Sequence, residues 1–386
     1  MRVFPDLGGT ENNTRQGFKL TSTIRVFTNI EEMLNIREQL NVLVHSQCEN
    51  PYLLFSFVEQ YFQSKVREGE KPFFLVYFVG KRIVGIAPFA VRSWKRLFRV
   101  ASFLMSHEFD LDFVVQEEYR EDFLYKTVNF LFREVGCNLI DISLPSKTQN
   151  LQALRRTSKS LGISLLKRPI PGHSVIFVDG SWTEFEKEMG RNFRKFFRRL
   201  ERRMKNLGKW KVVLATKGDS EAKIFQDISD IEKLSWKEAY RAKMGVERDW
   251  LLLDLWKSAI NSDCEAEFRW QIAFLEINGR KIAYSFWFEY KNKGIICKTS
   301  FDNNYRKHYP GIYVNNAVIC EMFKNPAIKQ IDLMTDLPFH YRWKPLLIPR
   351  FKLTMSKSLF ALVFEAVWNR GYLRARSIIR GFISRV

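Results

Sequence analysis

The residues best placed to do chemistry lie between Thr299 and Phe323. Ile296 to Phe301 reads as a strand, and Asp302 to Tyr309 is a polar loop that carries Arg306, Lys307 and His308. Pro310-Gly311 then opens a run in which Ile312, Asn315, Asn316, Ile319 and Phe323 recur at helical spacing. Proline suits the first helical position because the donor it lacks would be unpaired there. Glycine lets backbone or ligand come close. The unpaired N–H groups of a helix start, preceded by cations, attract an anion such as a phosphate. An ordinary strand-to-helix turn accounts for the same residues, and physics alone leaves both open.

The composition bounds the partners. The 386 residues carry 62 basic and 42 acidic side chains, a net charge of +20. That favours an anionic partner: nucleic acid, an anionic membrane surface or a phosphate-bearing ligand. A hydrophobic content of 46%, with 34 phenylalanines, supplies apolar material for two cores. The five cysteines, Cys48, Cys137, Cys264, Cys297 and Cys320, are odd in number and widely spaced, which argues against a disulfide framework or zinc site and for a reducing compartment. The five histidines show no metal-ligand spacing, so no metal is expected. Residues 1–17 contain no apolar signal core, and no apolar run is long enough to span a bilayer. A cytoplasmic location is therefore expected.

The elements that must hold these residues follow in order. Residues 1–23 read as a polar arm. Thr28 to Glu31 has capping-box spacing and opens a helix toward Val44, and Asn50-Pro51 opens a second helix with Leu54, Phe57, Val58 and Tyr61 on one face. Two strands flank Gly80-Lys81, a further strand pair spans Val100 to Val115, a helix spans Glu121 to Val135, and Leu139 to Leu144 is a buried-strand pattern. The order recurs later: strands on either side of Asn278-Gly279-Arg280, the stretch described above, and a last strand from Gln330 to Thr335. Phe78 to Val84 aligns with Ile277 to Ala283, and Leu139 to Ile142 with Gln330 to Leu333, which indicates a duplicated domain rather than a repeat array.

A helix from Trp182 to Leu207 lies between the halves, with Ser181 and Glu184 as a capping box and Gly208 as its C-terminal cap. Trp182, Phe185, Met189, Phe193, Phe196, Leu200, Met204 and Leu207 form its apolar stripe. Arg191, Asn192 and Arg194 lie closest to that stripe and face a cleft or solvent. Residues 351–386 read as a basic amphipathic helix that lies on an anionic membrane or packs back on the domain.

These motifs resemble the GCN5-related N-acetyltransferase (GNAT) superfamily, and in particular its cellulose-biosynthesis (CelD-type) branch. The matching residues are Trp182, Arg191-Asn192 and Arg198-Arg199; Gly279 to Ala283; Ser300-Phe301-Asp302; Tyr305 with Pro310-Gly311; Ile331-Asp332; and Tyr341-Arg342-Trp343-Lys344. Val84 to Pro88 and Phe109 to Asp112 match in the first half. Tyr309 stands where the first glycine of the usual family loop belongs.

The resemblance implies an α/β (α+β) fold of two tandem GNAT-like domains, over 24–175 and 176–350, each a mixed, mostly antiparallel sheet flanked by helices. It implies acyl transfer from acyl-CoA (acetyl-CoA) to an amine of a sugar, lipid or envelope polysaccharide precursor. Tyr305, Arg306, Pro310, Gly311 and Ile312 would hold the donor. Asp302 and His308 are candidate general bases, and Tyr341 a candidate acid for the leaving thiolate. Asp110, Asp112, Arg191, Asn192 and Arg194 are candidate acceptor-binding residues. For each, a structural role is the alternative. Tandem GNAT-like domains also occur in the Fem-type transferases, which draw on aminoacyl-tRNA, and the +20 charge fits an RNA donor as well. A third alternative is a non-catalytic basic protein peripheral on the inner face of the membrane.

Overall fold

The computed structural model describes residues 2–3, 21–49, 51–67, 69–104, 111–216, 218–235 and 268–367. They form two compact units. The first unit begins with β1 (Arg2–Val3), β2 (Ser22–Phe27), α1 (Arg37–Gln47), α2 (Phe55–Arg67), β3 (Lys71–Val79), β4 (Arg82–Trp94), β5 (Phe98–Phe103) and β6 (Val114–Val115). It continues through α3 (Arg120–Arg133), β7 (Leu139–Pro145), α4 (Asn150–Ser160) and the first half of β8 (Ser164–Phe177). The second unit holds the rest of β8, α5 (Trp182–Met189), α6 (Arg191–Leu207), β9 (Trp210–Ala215), α7 (Glu221–Lys233), β10 (Phe268–Ile277), β11 (Arg280–Tyr290), β12 (Lys293–Phe301), α8 (Pro310–Phe323) and β13 (Gln330–Asp332). The chain returns to the first unit through β14 (Leu346–Ser356) and α9 (359–367).

The duplication expected from sequence is present as topology. In the first unit β2, β3, β4 and β5 pair antiparallel, then α3 leads to β7, which pairs parallel to β5. In the second, β9, β10, β11 and β12 pair antiparallel, then α8 leads to β13, which pairs parallel to β12. An antiparallel strand covers the far edge in each: β14 on β7, and β8 on β13. Each unit is therefore a mixed, mostly antiparallel sheet flanked by helices. The match of the two hairpins is one residue off the alignment by glycine. Their turns are Gly80-Lys81 and Asn278-Gly279, so glycine takes the first central position in one and the second in the other. Asn278 and Gly279 both have positive φ, as a tight primed turn requires, and an Asn-Gly pair adopts it with little strain.

Several elements differ from expectation. Asn29, not Thr28, caps the first helical turn by accepting from the Glu31 N–H at 3.0 Å. The Trp182–Leu207 helix is two helices, because Gly190 sits at φ 86°, ψ −178°, a conformation open only to glycine. The Ser181–Glu184 capping box and the Gly208 cap form as expected. The strand at Gln330 is not the last. Where a helix was expected from 351, β14 runs to Ser356, since Phe351, Leu353 and Met355 alternate into the core and Arg350 to Met355 pair with β7.

In the second unit, α6 and α8 pack on one face of the sheet. Phe193, Phe197, Leu200 and Met204 of α6 join Val314, Val318, Ile319 and Met322 of α8 over Leu275, Ala283 and Trp287. Full burial of each large side chain contributes about 1.5–3 kcal/mol. Two glycines set the height of α8 above β12. A Cβ at Gly294 would lie 2.6 Å from Met322 Sδ, and one at Gly311 would lie 2.9 Å from Phe301 Cδ1. The start of β12 thus touches the end of α8, and the end of β12 its start.

Titratable groups close the far side of β13. His173 Nδ1 lies 3.2 Å from Asp332 Oδ2, and the Met334 N–H donates to Asp332 Oδ1 at 2.6 Å. Burial opposes the Asp332 charge, but the His173 hydrogen bond and charge outweigh it and hold the carboxyl below its ordinary range. Burial holds His340 below the ordinary imidazole value, with Nδ1 2.8 Å from the Thr335 carbonyl. Between the folded His340 value and about 6.5 the unfolded chain binds more protons, so stability rises with pH there and is lost on acidification through that window. Asp332 adds a second loss at lower pH, below about 3.9, as pH falls through its depressed folded value. Unfolding free energies from urea titrations should fall as pH drops below about 6.5, by up to ~1.4 kcal/mol per pH unit for His340, and His340→Gln should flatten that slope. Equal slopes for both proteins would show that His340 does not titrate on unfolding. Gly190→Ala should cost about 1–3 kcal/mol in the same assay, from backbone strain alone, because a Cβ there meets nothing within 4 Å.

Candidate functional site

The parallel ladder between β12 and β13 holds for three residue pairs, Lys293–Gln330, Gly294–Ile331 and Ile295–Asp332, and then stops. From Ile296 to Phe301, β12 has no ladder partner on that side among the described residues. A bulge in the β11–β12 pairing at Cys297 turns the strand where the ladder ends. Strand backbone without a partner is a row of donors and acceptors awaiting a ligand or another chain.

Polar side chains line this open segment on both faces. On the α8 face Thr299 Oγ1 lies 2.6 Å from Asn315 Oδ1 and 3.3 Å from Ser285 Oγ. On the α7 face the Tyr284 hydroxyl donates to Glu232 Oε1 at 2.6 Å, with Lys298 Nζ at 3.7 Å from the same oxygen. Ser300 Oγ is buried with no hydrogen-bond partner among the described residues. Glu232, Tyr284 and Lys298 escaped the sequence analysis. A signal was available: Glu232 sits next to Ile231 on a helix whose inward face is Ile224, Ile228 and Ile231, and an acid in that position needs a buried partner.

At the far end of β12 a 3-10 segment, Asn303–His308, leads to α8. Asp302 is buried and fully engaged. Its Oδ1 accepts from the Asn304 N–H at 2.9 Å, and its Oδ2 from Arg280 Nη2 at 2.8 Å. Tyr309 precedes α8 in the left-handed region, φ 56°, and among the described residues no side chain caps the helix. The first backbone bond there is Tyr313 N–H to Tyr309 O at 3.1 Å, so the Gly311 and Ile312 amides lie ahead of any intrahelical acceptor.

Cations surround this helix start. Arg306 and Lys307 are exposed on the loop. Arg203 of α6 donates to the Lys307 carbonyl at 3.3 Å and lies 5.8 Å from the Tyr309 ring. Arg342 and Arg199 lie over Phe196 at 4.2 and 5.7 Å. Tyr309, in the position where a glycine was expected, is the surface against which Arg203 rests. The equivalent helix start in the first unit is richer in acids: Glu117 and Glu118 precede α3, and Glu121 and Asp122 are in its first turn, with Arg120, Arg156 and Lys126 paired to Glu117, Glu121 and Asp122. The first turn of α8 has no acid.

The remaining sequence candidates sort as follows. Tyr305 and Ile312 are half-buried against the core, and Pro310 and Gly311 are buried. His308 is half-buried, with its Nδ1 enclosed and without a hydrogen-bond partner among the described residues. Tyr341 is exposed, and its hydroxyl donates to Asp336 Oδ1 at 2.6 Å, which holds the phenol above its ordinary range. Trp343, from the same motif, is buried and donates to Asn316 Oδ1 at 3.0 Å. Arg191 and Asn192 are exposed and Arg194 half-buried. Arg191 and Arg194 join Lys195, Arg198 and Arg202 along an open groove of about 430 Å³ on α6, which Asn192 does not line. Asp112 belongs to the first unit, where its Oδ1 accepts from Asn150 Nδ2 and the Phe113 N–H, both at 2.8 Å. Asp110 lies outside the described residues. No cluster of metal-ligating side chains is found among the described residues.

Residues 191–344, which include the whole of this site, match the family model described as an acetyltransferase (GNAT) domain. No curated protein matches the chain. Among solved structures, the C-terminal domain of a putative lysylphosphatidylglycerol synthetase from Agrobacterium fabrum aligns over 86% of this chain and 94% of its own, at 10% identity and a TM-score of 0.53. FemX aligns over 82% and 95%, at 11% identity and a TM-score of 0.56. L-PGS from Bacillus licheniformis aligns over 87% and 96%, at 11% identity and a TM-score of 0.54. At such identities these likenesses establish fold. The open edge of β12 and the start of α8 therefore lie in the stretch that matches the acetyltransferase (GNAT) domain model, within a chain that shares the fold of these solved structures.

Proposed function

We propose that this chain is an acyl-CoA-dependent N-acyltransferase whose donor binds in the second unit. One observation carries this reading: an uncapped helix start with Arg306, Lys307 and Arg203 around it stands at the open edge of β12, while the matching helix start of the first unit is acidic. A pyrophosphate gains from the amides of Gly311 and Ile312 and from the cations. At α3 it would meet the carboxylates of Glu117, Glu118, Glu121 and Asp122. The acyl arm would then follow the unpaired backbone of Ile296 to Phe301.

Transfer requires a neutral acceptor amine held in line with the acyl carbon. The C–N bond forms, the C–S bond breaks, one proton leaves nitrogen and one reaches the thiolate. We assign His308 as the base, directly or through water, because no hydrogen bond among the described residues commits its Nδ1. Tyr341, held protonated beside Asp336, is the assigned proton donor. Asp302, with both oxygens occupied, anchors the loop. The acceptor class, an amine of a sugar, lipid or envelope polysaccharide precursor, rests on the resemblance to the cellulose-biosynthesis branch. A cytoplasmic setting at the inner face of a membrane fits the same reading.

The α6 groove favours a second reading. Arg191 to Arg202 covers about three turns, roughly 16 Å of helix, so the cations of the groove outreach a single pyrophosphate. A row of this length suits a phosphate chain, as an aminoacyl-tRNA donor would present. Calorimetric titration with acetyl-CoA, a longer acyl-CoA and free CoA separates the two. Arg306→Glu with Lys307→Glu should weaken CoA binding about tenfold or more, ~1.4 kcal/mol. Glu117→Lys with Glu118→Lys, at the α3 start, should leave it unchanged. Gly311→Glu is avoided because its Cβ alone would strike Phe301. Failure of every CoA to bind would sink the leading reading. Retention of aminoacylated over deacylated tRNA, lost on reversing Arg194 and Arg198, would then establish the second.

A further inference from the structure

Helix α9 is amphipathic in the wrong sense for a surface helix. Its acid faces in: Glu365 is 3% exposed, accepts from Arg168 and lies 3.5 Å from Lys352 Nζ. Ala361 and Leu362 are also buried, and Phe364 packs on Trp94 and Phe98 with ring centroids 5.7 and 5.5 Å apart. Its other apolar side chains face out. Leu359 is 66%, Phe360 71%, Val363 52% and Val367 64% exposed. A surface helix ordinarily turns its charges to water. Scattered exposed leucines are normal, but a continuous stripe marks a surface with an occupant.

The neighbouring hairpin extends the patch. Phe360 lies 6.4 Å from Phe98, and Leu97 in the β4–β5 turn is 65% exposed. Lys95 and Arg96 in that turn both have left-handed backbones, φ 54° and 57°. Non-glycine residues are strained in such positions, and two in succession are unusual outside Asn and Gly. Both cations are exposed, as is Lys357 just before α9. In the sequence beyond, residues 368–386 add five arginines and no acid. An apolar stripe with a cationic rim matches the interface of an anionic bilayer, where side chains enter the acyl boundary and cations meet the headgroups.

We propose that the patch of Leu97, Leu359, Phe360, Val363 and Val367 in the first unit is a docking surface for an anionic phospholipid bilayer, with Lys95, Arg96 and Lys357 as its headgroup contacts. It gives the proposed membrane setting a defined surface, and it holds whichever donor the second unit uses.

The test is co-sedimentation of the full chain with phosphatidylcholine vesicles, with and without phosphatidylglycerol. Binding should need the anionic lipid and weaken with salt. Phe360→Ser with Val363→Ser, and separately Lys95→Glu with Arg96→Glu, should each reduce binding about tenfold. Circular dichroism checks that both fold. Phe360→Trp, read as a difference from the wild type, should shift its emission to the blue when anionic vesicles are added. Three outcomes overturn the proposal: vesicle binding unchanged in the Phe360/Val363 variant; emission from the Phe360→Trp protein already blue without lipid, which would mean that residues 368–386 cover the patch; or loss of a dimer in the Phe360/Val363 variant, which would make the occupant a second copy.

Discussion

The close contact between α8 and β12 is the constraint on which the proposed donor site depends. Gly294 lets Met322 sit directly on the start of the strand, and Gly311 lets the helix start sit on Phe301. With both ends pinned, α8 cannot ride up or slide. Its first amides therefore come to the end of β12, beyond the point where the ladder to β13 has stopped at Ile295. Interiors are close-packed, so a side chain at either glycine would lift one end of the helix. The two glycines do not touch the donor in this account. They fix where the unpaired N–H groups point.

The duplicated fold acts as its own control. The two units share strand order, the parallel closing strand and the crossing helix, so features common to both are needed for the fold. The third residue of each closing strand is an aspartate paired with a basic group on the covering strand: Asp141 with Lys352 on β14, and Asp332 with His173 on β8. That recurrence identifies a device for holding the outer strand, and the depressed Asp332 pKa follows from this pairing rather than from a catalytic role. What differs between the units is then the better guide to chemistry. The acidic start of α3 and the cationic start of α8 differ in this way.

Most of this architecture was legible in the sequence because it rests on local rules. The Ser181–Glu184 box, the turns at Gly80 and Asn278-Gly279, the proline start of α8 and the buried pattern of Leu139 to Leu144 each follow from a few neighbouring residues. The parts missed depend on residues far apart. Nothing near Gly190 says that the helix breaks there, since the apolar stripe continues through it. The first piece is held by Phe323, whose ring lies 5.5 and 4.9 Å from those of Trp182 and Phe185 of α5. The partner that makes 351–356 a strand is β7, some two hundred residues earlier. Glu232, Tyr284 and Lys298 meet only because α7 crosses the sheet.

The charge of +20 is better understood as several distributions than as one number. Around α8 the arginines stack on rings: Arg203 on Tyr309, and Arg342 and Arg199 on Phe196. A guanidinium held over a ring loses little further freedom when an anion arrives, so it binds a small, localised charge well. Along the α6 groove Arg191, Lys195, Arg198 and Arg202 are exposed, with Arg194 half-buried beside them. Such a surface suits a long, mobile polyanion, where released counterions supply the free energy. At the β4–β5 turn the cations border exposed apolar side chains, and this setting alone of the three gains from removal of apolar surface from water as well as from charge pairing. These settings respond differently to salt: weakly for the ordered, ring-backed collar, steeply for the open groove, and only in part for the apolar patch. The same excess of lysine and arginine thus falls into three settings, distinguished by what lies beside each cation, and each matches a different one of the proposed ligands.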